Sequence, residues 1–235
     1  MIVNCRRNID DYKVCVFDLD GTLYDQKKLR LTMLKRLVGH FMLHPLQIKD
    51  LLLIKKFREV RDKWESVDKS CLEGEDASLE ELQYKYMAVR MHMDTDRVRE
   101  VITKWMYANP LDAVAASRDE RLIGIMNEMM ARGQKVCILS DYPTEDKMNA
   151  MNAKADAMYS TVDANIGELK PSPKGLKVIA EDMHAKPDDM LMIGDRAEKD
   201  GECAIGAGVD YIIIDRSISK RDYGIFEGRE NSKQS

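Results

Sequence analysis

Two aspartates stand directly after an apolar run near the beginning of the sequence. The run KVCVF is followed by Asp18, Leu19, Asp20, Gly21 and Thr22. Alternate residues of an extended chain share one face, so both carboxylates can reach one site. That site would lie above the carboxyl edge of a sheet, where open α/β folds bind their ligands. An isolated Asp-x-Asp is more often an exposed acidic turn, but an apolar strand that runs straight into DLDGT is far more specific.

Four more polar residues follow later strand-like or loop segments. They are Ser140 after KVCIL, Lys170 in LKPSP, and Asp195 and Asp200 in GDRAEKD. Taken singly, each has an ordinary reading as a turn residue, a solvated lysine or a helix N-cap. Taken together with the first pair, the carboxylates from two strand ends offer the oxygen ligands that a hard cation such as Mg²⁺ prefers. Ser140 and Lys170 can donate hydrogen bonds to a phosphoryl group held there.

Strands and helices alternate in the segments that would position these residues. Four apolar runs predict buried parallel strands. They occupy residues 13–21, 135–143, 189–195 and 209–215. Helical patterns separate the runs, and Ser117 with Glu120 predicts a capping box for a helix that ends near Ala131. The alternation predicts an α/β fold with a doubly wound parallel sheet, in which ligands bind at the carboxyl ends of the strands.

A long segment between the first two runs has a different character. Residues 25–110 contain no convincing strand and much helical periodicity, with Pro45 dividing two helices. We therefore expect a helical cap domain at 25–110, inserted into a core formed by residues 1–24 and 111–235. Within the insert, residues 27–63 hold eleven Lys and Arg against three Asp and Glu. Such runs are more often solvated helix faces than anion-binding surfaces.

The order of the motifs resembles that of the haloacid dehalogenase superfamily, and specifically its phosphatase branch. The four motifs of that family are similar to DLDGT at 18–22, Ser140 in ILSD, Lys170 in KPSP and GDRAEKD at 194–200. The resemblance covers residues 11–24 and 110–215. It implies a Rossmann-like parallel sheet as the core, and the position of the helical insert resembles a C1-type cap.

The resemblance also implies a role for each residue. Asp18 would form an aspartyl-phosphate, and Asp20 would act as general acid and base. The residues implied to bind phosphoryl oxygens are Thr22, Ser140, Lys170 and Asp141, the last through its backbone amide. The residues implied to hold Mg²⁺ are Asp18, Asp20 through its backbone carbonyl, and Asp195, with Asp200 in support. The expected reaction is Mg²⁺-dependent hydrolysis of a small phosphorylated metabolite.

Other activities on the same fold stay open. A dehalogenase would share Asp18 but has no need of Asp20 or of a magnesium site. A phosphotransferase or phosphomutase uses the same four motifs, and a non-catalytic phosphate-binding protein would retain them in vestigial form. Two residues depart from the family pattern. Arg196 stands where a small residue is usual, and Asp141 stands where a neutral polar one is common.

Composition limits the expected partners. The chain has 235 residues, of which 44 % are hydrophobic, enough for a large core with an insert. The net charge of −4 gives no global reason to bind nucleic acid, and no apolar run approaches membrane-spanning length. Five scattered cysteines without a Cys-x-x-Cys favour a reduced, cytoplasmic protein. We therefore expect a small-molecule substrate and neither a nucleic-acid nor a membrane partner. The polar tail after Ile225 is expected to fray.

Overall fold

A six-stranded sheet lies at the centre of the protein, which a computed structural model describes over residues 1–226. The strands are β1 (Ile2–Asn4), β2 (Val14–Phe17), β3 (Lys135–Ser140), β4 (Ala157–Ser160), β5 (Met190–Gly194) and β6 (Asp210–Ile213). Their order is β1-β6-β5-β2-β3-β4, and among these described strands β1 alone runs antiparallel to its neighbour. The polar tail expected to fray lies outside the described residues from position 227 onward.

The central strand β2 is buried on both of its faces. It pairs in parallel with β3 on one side and with β5 on the other. Phe17 joins the apolar cluster on one face of the sheet, and Val16 joins the cluster on the opposite face. A strand covered on both faces is apolar at every position, which explains the continuous run in the sequence. The prediction of a doubly wound α/β sheet is confirmed.

Helices pack against both faces of the sheet. They are α5 (Leu111–Ala116), α6 (Glu120–Ala131), α7 (Glu145–Met151), α8 (Lys174–Asp182) and α9 (Glu202–Ala207), numbered after the four helices described below. Met126 of α6 and Met148 of α7 pack in the same cluster as Phe17. Ile179 of α8 and Ala204 of α9 pack in the cluster on the other face. The two helical layers hold the carboxyl ends of the strands in a fixed arrangement.

Helix α6 begins differently from the prediction. Its N-cap is Asp119, whose carboxylate accepts a hydrogen bond from the backbone N–H of Leu122 at 3.0 Å. Ser117 is instead the C-cap residue of α5, and its hydroxyl donates to the carbonyl of Ala113 at 2.6 Å. The expected capping box was therefore wrong, because the serine is used by the last turn of the preceding helix.

The chain between β2 and α5 forms four helices and a short π-helical turn, and we call residues 26–108 the helical insert. The helices are α1 (Gln26–Leu43), α2 (Ile48–Asp62), α3 (Leu79–Met91) and α4 (Thr95–Ile102), and the π-helical turn is Thr103–Ala108. The insert has its own apolar cluster around Phe57, Tyr84 and Trp105. Its status as a separate cap domain at 25–110 stays a prediction. None of the helices within residues 1–226 is long and apolar enough to cross a membrane.

Candidate active site

Three adjacent strands deliver the central residues of the candidate site. Phe17 of β2 pairs with Ile138 of β3 and with Ile193 of β5. The chain therefore leaves all three strands at the same edge of the sheet, and the carboxyl ends of β2, β3 and β5 lie side by side. Asp18, Ser140 and Asp195 were predicted at these ends, and the structure brings them together there.

Two glycines make room for the carboxylates at this edge. Gly21 has a φ of +104°, and a Cβ added to it would lie 2.7 Å from Oδ2 of Asp195. A Cβ added to Gly194 would lie 2.3 Å from Oδ2 of Asp200. Both distances are too short for a real side chain. The backbone can approach the two carboxylates this closely because neither residue carries a Cβ.

Lys170 lies between two of the buried carboxylates. Its Nζ donates hydrogen bonds to Oδ1 of Asp18 and to Oδ1 of Asp200, each at 2.6 Å. Burial alone would lower the pKa of Lys170, but the two carboxylates raise it well above its usual range. Burial and the carboxylates of Asp200 and Asp195 raise the pKa of Asp18, whereas Lys170 lowers it. Lys170 therefore remains cationic and favours ionised Asp18, but the net effect of these groups raises the pKa of Asp18 well above its usual range.

Asp20 is held by three donors. Its Oδ2 accepts a hydrogen bond from the hydroxyl of Ser140 at 2.8 Å, and its Oδ1 accepts from the ammonium of Lys147 and the hydroxyl of Tyr24. Burial would raise the pKa of Asp20, but Lys147 and the two hydroxyls bring it below its usual range. The pKa of Asp18 is thus raised and that of Asp20 lowered. An ionised Asp18 and a protonated Asp20 therefore require further charge in the site, a cation beside Asp18 and an anionic group beside Asp20.

The sequence reading missed Lys147 and Tyr24. Lys147 lies in the first turn of α7, one of many lysines near the start of a helix, and nothing in its local sequence marks it. Tyr24 follows Asp20 by four residues, as Thr22 follows Asp18 by four. In the structure the Thr22 hydroxyl donates to Oδ2 of Asp18 at 2.8 Å. Each acid at this strand end therefore has a hydroxyl donor four residues later in the chain.

Asp195 has an unused oxygen. Its side chain is buried, and its Oδ1 has no hydrogen-bond partner among the described residues. Its Oδ2 lies 3.6 Å from Nε of Arg216. Burial and the nearby carboxylate of Asp200 raise the pKa of Asp195 to about 6. Asp18, Asp195 and Asp200 each offer a carboxylate oxygen within 4.8 Å of the others. Buried oxygens that converge with one of them unpaired are a donor set that suits a hard cation.

Asp141 uses its side chain to hold the loop that carries Lys170. Its Oδ1 accepts hydrogen bonds from the hydroxyl of Thr161 at 3.1 Å and from the backbone N–H of Lys170 at 3.0 Å. A neutral amide at this position would accept these two bonds more weakly, because a charged acceptor makes the stronger hydrogen bond. This departure from the family pattern therefore has a structural reason. The side chain is engaged by these bonds, so a phosphoryl contact of Asp141 stays a prediction for its backbone N–H.

A cavity of about 390 Å³ lies above these residues, between the sheet edge and the helical insert. Apolar side chains of the insert form one wall, including Leu29, Met33 and Leu37 of α1. Arg58 and Arg61 of α2 also line the cavity. The cavity thus joins the carboxylate cluster to a pocket that is partly apolar and partly cationic.

Arg61 connects the insert to the core. Only 2 % of it is exposed, and it donates hydrogen bonds to the side chain of Gln83 and to the backbone carbonyl of Asp141. Its guanidinium lies 4.4 Å from the centre of the Tyr142 ring, which fits a cation–π contact. The reading of the basic run as solvated helix faces was therefore wrong for this arginine. The other departure from the family pattern, Arg196, lies 3.8 Å from an Asp62 oxygen of the insert.

Comparison with known proteins relates the chain to one large group. The family model of the haloacid dehalogenase-like hydrolases matches residues 12–208. No curated protein matches the chain. A 2-haloacid dehalogenase from Pseudomonas syringae has a similar fold, with a TM-score of 0.60, 15 % identity and 86 % of both chains covered.

Two further solved structures share the fold. A predicted phosphoglycolate phosphatase from Haemophilus somnus has a TM-score of 0.52 at 14 % identity, covering 93 % of this chain and 92 % of that chain. A HAD-hydrolase from Bacillus subtilis, solved bound to magnesium, has a TM-score of 0.58 at 11 % identity, covering 86 % and 88 %. At these identities the likeness concerns the fold.

Proposed function

Because the chain belongs to the haloacid dehalogenase-like hydrolases, we propose that it hydrolyses phosphate monoesters with Asp18 as nucleophile and Asp20 as general acid and base. The observation that carries this proposal is the second carboxylate. Asp20 reaches the same cavity as Asp18 and is held by Ser140, Lys147 and Tyr24. A departing halide needs no proton, whereas a departing alkoxide does. A buried, firmly positioned second acid is therefore useful to an esterase and of little use to a dehalogenase.

The reaction has two steps. In the first, a carboxylate oxygen of Asp18 bonds to phosphorus, the ester P–O bond breaks, and the leaving oxygen takes a proton from Asp20. In the second, Asp20 takes a proton from water, the water oxygen bonds to phosphorus, and the Asp18–phosphorus bond breaks. Asp18 leaves the cycle as a carboxylate, and Asp20 leaves it protonated for the next turnover.

Hydrogen-bond donors beside the two acids would bind the phosphoryl oxygens. Lys170 contacts Asp18 directly, and Ser140 contacts Asp20, so both donors lie next to the position of the transferred group. Phosphoryl transfer depends mainly on positioning and on neutralising charge, and a buried ammonium contributes to both. Thr22 is proposed to act through Asp18, whose carboxylate it orients, and Asp141 is proposed to act by ordering the loop of Lys170.

The oxygen ligands at the site suit Mg²⁺, the ion that the family resemblance implies. Asp18, the backbone carbonyl of Asp20 and Asp195 would hold the ion, and the unpaired Oδ1 of Asp195 supports this assignment. Asp200 would act in support, since its two oxygens already accept from Lys170 and from the backbone N–H of Arg196. A bound Mg²⁺ supplies positive charge that offsets the charge on the phosphoryl oxygens. The cavity volume suits a small phosphorylated metabolite as the substrate.

A direct comparison of two substrates tests the proposal. The protein is supplied with Mg²⁺ and either p-nitrophenyl phosphate or 2-chloropropionate, and released phosphate and chloride are measured. We expect phosphate release without chloride release. Asp18→Asn should abolish it, while the control Asp76→Asn, at an exposed position of the insert, should not change it. Chloride release without phosphate release would overturn the proposal.

A further inference from the structure

The junction between α1 and α2 exposes an unusual number of large apolar side chains. Leu46 is 97 % exposed, Leu43 is 79 % exposed and Met42 is 78 % exposed. With three neighbours that are about half exposed they form what we call the outer apolar patch. Its members are Val38, Met42, Leu43, Leu46, Ile48 and Leu52. Contiguous exposed apolar surface of this kind usually marks an interaction site.

The patch is not the misplaced inner face of a helix. On α1, Met33 and Phe41 are buried and Leu37 lines the cavity, so the inward side already has its apolar residues. On α2, Leu53 and Phe57 fill the apolar cluster of the insert. Both helices therefore carry apolar side chains on the side that faces solvent as well as on the side that packs against the protein. A surface helix whose outer side meets only water carries polar residues there.

Cations surround the patch. Lys35 of α1 and Lys49 and Lys56 of α2 are exposed, and none of them has an ion-pair partner within residues 1–226. The wider run 27–63 holds eleven Lys and Arg against three Asp and Glu, although the whole chain carries a net charge of −4. Three arginines of that run line the cavity, and Arg36 pairs with Asp112. The charge beside the protruding apolar side chains is therefore that of the exposed lysines Lys35, Lys49 and Lys56.

We propose that the outer apolar patch docks on the surface of an anionic lipid bilayer. Apolar side chains at a protruding turn can enter the boundary between headgroups and acyl chains, while lysines around them contact lipid phosphates. A second copy of the chain fits the patch less well, because a symmetric contact would bring the two sets of lysines together. No described helix spans a membrane, so the protein would lie on the bilayer surface.

This inference departs from the expectation of no membrane partner, which rested on the lack of a spanning run. It also stands apart from the proposed function, because none of the patch residues belongs to the proposed catalytic machinery. Docking would bring the insert, and the cavity beneath it, close to the headgroups. The two proposals can therefore fail independently.

Vesicle flotation tests the docking surface. The full chain is mixed with vesicles of phosphatidylcholine alone or of phosphatidylcholine with phosphatidylglycerol, and the bound fraction is measured. We expect binding to the anionic vesicles that weakens at high salt, since salt screens the lysines. Leu46→Glu should lower the partition coefficient about tenfold. A double variant that also carries Leu43→Glu should lower it further. Val89→Glu, at a 52 % exposed position of α3, is the matched control and should bind like the parent protein.

Several results would overturn the inference. One is the absence of flotation with anionic vesicles, and another is equal binding to neutral and anionic vesicles. Equal binding by the Leu46→Glu and Val89→Glu variants would place the contact elsewhere. A dimer in light scattering that Leu46→Glu dissociates would assign the patch to a second copy of the chain. Unchanged circular dichroism and thermal unfolding of each variant check that it is folded.

Discussion

Gly194→Ala offers a sharp test of the carboxylate cluster, because it adds a single methyl group beside Asp200. Alanine is tolerated by the backbone here, since Gly194 does not have a positive φ. The new Cβ would lie 2.3 Å from Oδ2 and 2.4 Å from Cγ of Asp200. Ordinary contacts begin at 3.4 Å. The Asp200 side chain therefore has to move by about 1 Å, a displacement that can cost about 10²-fold in rate.

That movement should weaken metal binding. Displaced Asp200 would lose its hydrogen bonds from Lys170 and from the backbone N–H of Arg196, both of which position it beside Asp18. Loss of a group that orients metal ligands typically lowers metal affinity about 10–100-fold. Overpacking of this kind also costs about 1–3 kcal/mol of folding free energy. We expect both effects in the Gly194→Ala protein.

Titration of activity with Mg²⁺ and thermal unfolding measure the two effects. The matched control is Gly124→Ala in α6, where an added Cβ would meet nothing within 4 Å. Removing a glycine from a helix interior should raise stability by about 1 kcal/mol, with no change in the Mg²⁺ titration. An unchanged Mg²⁺ requirement in a folded Gly194→Ala protein would refute the proposed supporting role of Asp200.

Three further predictions follow from other contacts of the site. Lys147→Met removes the cation beside Asp20 and leaves burial to raise its pKa; because Asp20 must begin the turnover protonated, activity is lost as pH rises through its pKa, so the alkaline limb of the kcat/KM profile for an alkyl phosphate should move to higher pH. The exposed Lys135→Met serves as control. Removal of divalent ions with a chelator should abolish hydrolysis, and added Mg²⁺ should restore it; full activity in metal-free buffer would contradict the metal assignment. Arg221 pairs with the buried Asp119 and donates hydrogen bonds to the backbone carbonyls of Gly21 and Thr22, in the loop that follows the nucleophile. Arg221→Met should cost about 3–5 kcal/mol in denaturant unfolding, since it leaves the buried Asp119 without its cation, and a loss below about 1 kcal/mol would mean that this pair does not hold the loop of the nucleophile.

The strands that carry the site could be predicted because their burial leaves a pattern in a short stretch of sequence. A strand covered on both faces must be apolar throughout, so β2, β3 and β5 stand out in the sequence. One polar residue at the end of such a strand has an ordinary structural reading, but several at one edge of a sheet indicate a site, and the structure brings Asp18, Ser140 and Asp195 together. The resemblance to a known family added the expected role of each residue, which composition and spacing alone do not supply.

The short outer strands were missed. The three residues of β1 are all exposed, and only the last two of the four residues of β4 are buried, so neither shows the buried run by which the central strands were found. Their place in the sheet depends on pairing with β6 and β3, over separations that no local pattern reveals.

Contacts between distant segments were missed for the same reason. Lys147 and Arg61 resemble ordinary helix cations until the fold places them beside Asp20 and Asp141. The capping box at Ser117 failed because two neighbouring helices compete for one hydroxyl. Long-range partners decide the role of each of these residues, and a single sequence does not reveal them.

The central claim is that Asp18 and Asp20 divide the work of nucleophile and acid/base, and rapid-quench kinetics of Asp20→Asn tests it most directly. p-Nitrophenolate leaves without a proton, so the variant should still form the aspartyl-phosphate on Asp18. Hydrolysis of that intermediate should then be slower by about 10²–10⁴-fold, because no base activates water. The account predicts a burst of nitrophenolate approaching about one equivalent per site, followed by slow phosphate release. Simultaneous slow release of both products without a burst, from a folded variant that still binds Mg²⁺, would contradict it.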